Sequence, residues 1–279
     1  MPDIADPIIE LRRVSKSFGS QRVLDEIDLK IERGKTTVII GRSGTGKSVL
    51  LKHIVGLLRP DSGEVLVNGR RIDQLNDRAL GPIRAEISFV FQLNALFDSM
   101  SVAENVAFPM KLNSRRPVGG KHIDELVRTR LEMVGMAGFE NKRPADLSGG
   151  EKKRVALARA IALDPPPKVI LYDEPTTGLD PQRSDVINKL IRALQREVQL
   201  TSVVVTHDMR TAAEVGDRIL MLWDGRFIAD GSAEDLQTSE NIHVRRFVQG
   251  QAEPQDVRSL QAGDGKSRSA PVESGSAHE

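Results

Sequence analysis

The segment Gly41-Arg42-Ser43-Gly44-Thr45-Gly46-Lys47-Ser48 brings together the groups needed to hold a polyphosphate. Its glycines let the main chain wrap closely and turn successive N–H groups inward. The apolar residues 38–40 lead in, and an apolar-periodic stretch with Val49, Leu50, Ile54, Leu57 and Leu58 leads out. A strand entering and a helix leaving set the helix's N-terminal partial positive charge against the anion. In this spacing Lys47 reaches the terminal phosphates and the Ser48 hydroxyl serves a divalent cation. Four fixed positions of this kind match by chance in about one chain of this length in a hundred. The flanking strand and helix make a chance match rarer still.

A second constellation is Asp173-Glu174, which closes the apolar run 169–172. Acidic residues often end strands at solvent, so the pair alone says little. Downstream of a phosphate-binding loop it supplies what hydrolysis needs. Asp173 would hold Mg²⁺ through water, and Glu174 would polarise the attacking water as general base. Leu147-Ser148-Gly149-Gly150-Glu151 precedes a basic, apolar-periodic helix. Alone it reads as an ordinary helix N-cap. Gln92 follows an apolar strand, His207 ends another, and Gly178-Leu179-Asp180 follows the acidic pair. One at a time, Gln92 is a surface polar residue, His207 a strand-end cap and Phe18 a core residue.

Taken in order, these segments resemble the ATP-binding subunit of ABC transporters over about residues 8–250. The resemblance implies ATP and Mg²⁺ as cofactors, bound by residues 41–48 with Val49. It makes Ser148, Gly149 and Gly150 the signature that contacts phosphate, Asp180 part of the D-loop and His207 the switch histidine. Gln92 becomes the Q-loop glutamine near Mg²⁺ and water, and Phe18 the aromatic that stacks on adenine. The family usually has Gln where this chain has Glu151, a departure that leaves the serine and both glycines in place. The implied mechanism is a homodimer whose subunits face head to tail. Each ATP is clamped between the phosphate loop of one subunit and the Ser148 signature of the other.

One nucleotide-binding domain and no membrane span imply a separate integral permease. Residues 95–97 and 100–102 lie where the family receives a permease helix, and their apolar character fits plain core equally. Residues 41–51, 91–109 and 241–251 together resemble the ATPase of Mla-type phospholipid transport systems. Those work with a permease and an MCE-domain lipid-binding protein between bacterial membranes. The location implied is the cytoplasmic face of the inner membrane. The alternatives are the ATPase of another ABC importer or exporter, and a soluble ABC-like scaffold ATPase for iron–sulfur assembly. A ribosome-acting relative would carry two such domains, and a DNA-repair ATPase long coiled-coil heptads between residues 93 and 163.

These groups need a scaffold, and its pattern is legible. Extended stretches fall at 8–14, 23–31, 38–40, 87–91, 169–172, 202–205 and 219–222. Asn68-Gly69 and Asp224-Gly225 are two-residue hairpin signals. Helical spacing governs Ile123, Leu126, Val127, Leu131 and Val134, then Val155, Leu157, Ala158, Ile161 and Ala162. Another helix carries Val186, Ile187, Leu190, Ile191 and Leu194. Strand–helix alternation with continuous apolar strands predicts a parallel sheet covered on both faces. The expected fold is α/β. It has a P-loop NTPase (RecA-like) core, an antiparallel β layer near the N-terminus and a helical subdomain at about 93–163. That insertion includes a loop at Pro117, Gly119 and Gly120. One domain spans 1–250, with a short helix around Val244, Phe247 and Val248. The tail 251–279, poor in apolar residues, is expected to be disordered.

Composition narrows the function classes. Lys+Arg number 40 against 39 Asp+Glu, a net charge of +1. That balance gives no general field for nucleic acid, so no nucleic-acid partner is expected. The chain has no Cys, which removes thiolate metal sites and cysteine nucleophiles. Residues 1–7 lack the apolar core of a signal peptide.

Overall fold

The computed structural model describes residues 6–112 and 120–254. The expected loop residues Pro117 and Gly119, and the tail from 255 on, lie outside the described residues. In chain order the strands are β1 (Pro7–Phe18), β2 (Gln21–Glu32), β3 (Thr36–Ile40), β4 (Ser62–Val67) and β5 (Arg70–Arg71). They continue as β6 (Ile87–Val90), β7 (Val169–Asp173), β8 (Thr201–Thr206), β9 (Arg218–Trp223) and β10 (Arg226–Gly231). The helices are α1 (Lys47–Ile54), α2 (Asp77–Arg84), α3 (Val102–Leu112), α4 (Gly120–Met133) and α5 (Gly149–Ala160). After β7 come α6 (Pro181–Glu197), α7 (Met209–Val215), α8 (Ala233–Gln237) and α9 (Ile242–Val248).

Two sheets form. One is antiparallel, in the order β2-β1-β4-β5. The other runs β10-β9-β3-β8-β7-β6; it is parallel except for β10, which returns as a hairpin on β9. The expected α/β core with an antiparallel N-terminal layer is therefore present. The hairpin turns adopt the backbone their residues favour. Asn68 and Gly69 have φ of +50° and +72°, and Asp224 and Gly225 of +44° and +77°. Positive φ at both central residues matches the right-handed twist of the strands they join.

Alternation along the central strands divides the core. Val38 and Ile40 of β3, with Ile170 and Tyr172 of β7, face a cluster built with α3 to α7. Ile39 and Leu171 face the opposite cluster, shared with α1 and with β1 and β2. Both faces are thus covered, as continuous apolar parallel strands require. Between β6 and β7 the described residues hold α3, α4 and α5, with α3 and α4 packed on α5.

Three features differ from the sequence pattern. α1 stops at Ile54, before the apolar Leu57 and Leu58, because Gly56 turns left-handed at φ +71°. α2 stands between β5 and β6 where no helix was expected; Asn76 caps it by accepting from the Ala79 N–H. Glu253, placed by sequence in the tail, is 5% exposed and joined to α9. Its carboxylate lies 3.0 Å from His243 Nδ1 and accepts from Arg246 at 2.8 Å. No helix among the described residues is long and apolar enough to cross a membrane.

Candidate nucleotide site

Every residue of β3 is buried, and Gly41 follows its last residue, Ile40, where the chain must turn sharply. A Cβ at Gly41 would sit 2.5 Å from the Leu222 carbonyl oxygen, and one at Gly46 would sit 2.7 Å from Val23 Cγ1. Gly46 is also left-handed, at φ +98°. These two positions therefore need glycine. Gly46 is the N-cap of α1, and no side chain caps that helix. Its first-turn N–H groups stay available to an anion at the loop.

Lys47, the first residue of α1, is only 5% exposed. Its Nζ donates to the carbonyls of Gly41 at 2.8 Å and Arg42 at 3.0 Å, and lies 3.5 Å from Glu174 Oε1. Burial lowers the pKa of the ammonium, and the Glu174 charge works against that shift. Ser48 Oγ donates to Asp173 Oδ1 at 2.7 Å. Burial raises the Asp173 pKa; the Ser48 hydrogen bond opposes this and the neighbouring Glu174 charge adds to it. Asp173 is the last residue of β7 and Glu174 follows it, with a left-handed backbone at φ +51°. Its Oε2 meets His207 Nδ1 at 2.8 Å and the Thr177 hydroxyl at 3.2 Å. His207 follows β8 directly, so adjacent parallel strands deliver both groups.

A cleft of about 390 Å³ opens over this cluster, lined by Phe18, Ser43, Gly44, Gly46, Lys47, Ser48, Val49, Gln92, Glu174 and His207, with Gln21 and Val23. Phe18 is 47% exposed at its mouth, with the Lys16 ammonium 5.6 Å from the ring centre, so it is not a core residue. Arg42 and Thr45 line a neighbouring pocket instead. There the Arg42 guanidinium lies 5.5 Å from the Trp223 ring, which stacks at 4.5 Å on His243 of α9. Thr45 Oγ1 donates to the Arg42 carbonyl and shapes the loop.

The remaining candidates stand apart from this cleft. Ser148 caps α5 in a capping box: its Oγ accepts from the Glu151 N–H, while Glu151 Oε2 accepts from the Ser148 N–H at 2.7 Å. Glutamate and glutamine both provide that acceptor, which accounts for Glu151 at this position. Ser148 and Gly150 line a separate pocket with Arg183, Val186 and Ile187 of α6, and Gly149 packs near Leu179. Asp180 caps α6, accepting from the N–H groups of Gln182 and Arg183. Sequence reasoning missed Thr177, Gln21 and Val23, and it missed Lys153, a buried lysine whose Nζ donates to the Gln92 carbonyl at 3.2 Å. Lys152-Lys153-Arg154 reads as the basic part of a helix and gives no sign that its middle member is buried.

Residues 24–177 match the ABC transporter family. The chain is 39% identical to the intermembrane phospholipid transport system ATP-binding protein MlaF of Haemophilus influenzae, over 88% of this chain and 92% of that protein. It is 43% identical to the chloroplastic trigalactosyldiacylglycerol 3 protein of Arabidopsis thaliana, over 88% and 74%. To the probable ribonucleotide transport ATP-binding protein mkl of Mycobacterium leprae it is 40% identical, over 87% and 69%. Among solved structures, a bacterial ABC transporter cassette determined as a dimer superposes with a TM-score of 0.74 at 35% identity, covering 81% of this chain and 98% of that one. The chain belongs to the ABC transporter family, as an ATP-binding and ATP-hydrolysing subunit.

Proposed function

We propose that this chain drives phospholipid transport between the inner and outer membranes of a bacterium. In this reading it works as a homodimer on the cytoplasmic face of the inner membrane, beneath a permease that operates with an MCE-domain lipid-binding protein. The observation that carries the enzymatic part is the convergence of Lys47, Ser48, Asp173, Glu174 and His207 under one cleft. The cargo assignment rests on the 39% identity to a phospholipid transport ATPase over nearly the whole of both chains.

In this reading ATP lies in the cleft with its base near Phe18. Its phosphates lie on the residue 43–48 main chain and the α1 N-terminus. Lys47 exchanges its carbonyl contacts for phosphate oxygens. Glu174 Oε2 is held by His207 and Thr177, which orients the carboxylate. Oε1, which faces Lys47 at 3.5 Å, would take the proton of the attacking water once Lys47 turns to phosphate. The donors fit a small hard cation: a hydroxyl and a carboxylate already touching at 2.7 Å, with the Gln92 amide in the same cleft. Ser48, Asp173 and Gln92 would hold Mg²⁺, which would neutralise charge on the β- and γ-phosphates. Ser148, Gly149, Gly150 and Asp180 would complete the partner subunit's site rather than their own, in keeping with their separation from the cleft.

Reconstitution with the permease in vesicles tests the cargo. ATP-dependent movement of labelled phospholipid is expected, and loss of the gene should sensitise cells to detergent. An intact outer-membrane barrier together with lost uptake of a ribonucleotide or other polar solute would sink the lipid assignment.

A further inference from the structure

α5 carries Ser148 at one end and, along its length, two cations answered by main-chain carbonyls of residues 92–95. Lys153, 5% exposed, donates to the Gln92 carbonyl at 3.2 Å. Arg159 donates through one terminal nitrogen to the Asn94 carbonyl and through the other to the Ala95 carbonyl, each at 2.7 Å. Its guanidinium also lies 5.9 Å from the Phe97 ring centre. The segment so held is unusual in its backbone. Asn94 and Ala95 are both left-handed, at φ +64° and +49°. That conformation disfavours alanine, so something outside the segment must hold it. A planar guanidinium fork serves the two carbonyls from two separate nitrogens, whereas an ammonium offers a single nitrogen. Helix and segment also share a root: Ser88 Oγ of β6, the strand that leads into Gln92, donates to the Ala160 carbonyl at the end of α5 at 2.6 Å.

We propose that Lys153 and Arg159 are positioning residues that strap the main chain of residues 92–95 to α5, so that Gln92 and Ser148 move as one body. At about 1.5 Å per residue, Ser148 stands roughly 17 Å along the helix from Arg159. The inference rests on the proposed reading, in which Gln92 serves this subunit's ATP and Ser148 the partner's. The strap then ties the two ATP sites of the dimer together through one helix. Burial lowers the Lys153 pKa, with the Glu174 charge opposing, so the lysine shares the poorly solvated surroundings of the catalytic carboxylate.

The test uses the full-length protein carrying Arg159→Lys, Lys153→Met or Lys153→Arg. It reads amide hydrogen exchange of residues 93–97 beside steady-state ATPase kinetics. Arg159→Lys and Lys153→Met are expected to speed exchange in that segment and lower kcat about tenfold, with KM for ATP held within about twofold. Lys153→Arg, which keeps a donor in reach, should recover most of both. Unchanged exchange in both disruptive variants overturns the strap, whatever the ATPase rate does. So does a uniform rise in exchange with a lower Tm and no rescue by Lys153→Arg, which would mark general destabilisation. If exchange responds locally while even the wild type fails to hydrolyse ATP, the strap stands and the functional reading falls.

Discussion

Glu174 meets an ammonium, an imidazole and a hydroxyl within 3.5 Å, more partners than a solvent-facing strand end needs. Glu174→Gln keeps the size and loses the base. ATP affinity is expected to hold while kcat falls about 10²–10⁴-fold, a range typical of general-base loss. Near-normal turnover by this variant would remove Glu174 from the reaction. Lys47→Ala should lower both affinity and turnover, because in the proposed site its charge faces phosphate throughout. The loss in kcat/KM should be about 2.7–4 kcal/mol, as for removal of a transition-state donor. An unchanged rate at saturating ATP would place Lys47 outside the site. Most of this cluster was legible in the sequence because phosphate chemistry fixes residue type and spacing together. Phe18 was placed there only by the family resemblance, since a lone phenylalanine suits a core as well as a cleft mouth. Thr177 and Lys153 were not, since nothing in a threonine or a charge run shows which way it faces.

At the scale of elements, local chemistry was readable where a turn demands it. Asn68-Gly69 and Asp224-Gly225 reverse the chain as expected, and the continuous apolar runs became parallel strands. The end of α1 was misread because Leu57 and Leu58 keep helical spacing past Gly56, and one backbone angle outweighs that pattern. Glu253 lies in the stretch expected to be tail, and its burial depends on two donors presented by α9. This pair yields a pH prediction. The hydrogen bond with His243, then that from Arg246, holds the Glu253 carboxyl below its ordinary value of 4.5. A depressed folded-state pKa gives stability that is present above the unfolded value and lost as pH falls through the folded one. Glu253→Gln should therefore lower Tm at pH 7 by only about 1–3 °C, given the modest worth of such pairs. The gap to wild type should close as the pH drops below about 4. A gap that widens in acid, measured by calorimetry, would contradict the assignment.

For the whole molecule, the decisive fact is that the cleft and the Ser148 end of α5 line different pockets of one chain. Sequence order put the two motifs on the page but carried no distance between them. A head-to-tail dimer predicts complementation. Lys47→Ala and Ser148→Arg should each be inactive as pure homodimers. In a mixed dimer both lesions fall in one composite site, leaving the other intact, so mixing the proteins should restore part of the hydrolysis. Verified mixed dimers that neither hydrolyse nor trap ATP would return Ser148 to the role of a plain helix cap.

Trp223 is the chain's only tryptophan. It lies between Arg42 of the phosphate loop and His243 of the C-terminal helix. Indole emission responds to the charge and polarity of the groups stacked on it, so ultraviolet excitation of the unlabelled protein reads out a single place. Nucleotide entering the loop should change the brightness of that emission. Removing residues from Ile242 onward should wet the ring and shift its colour to the red, and stopped-flow mixing could then time the loop's response to ATP without any dye.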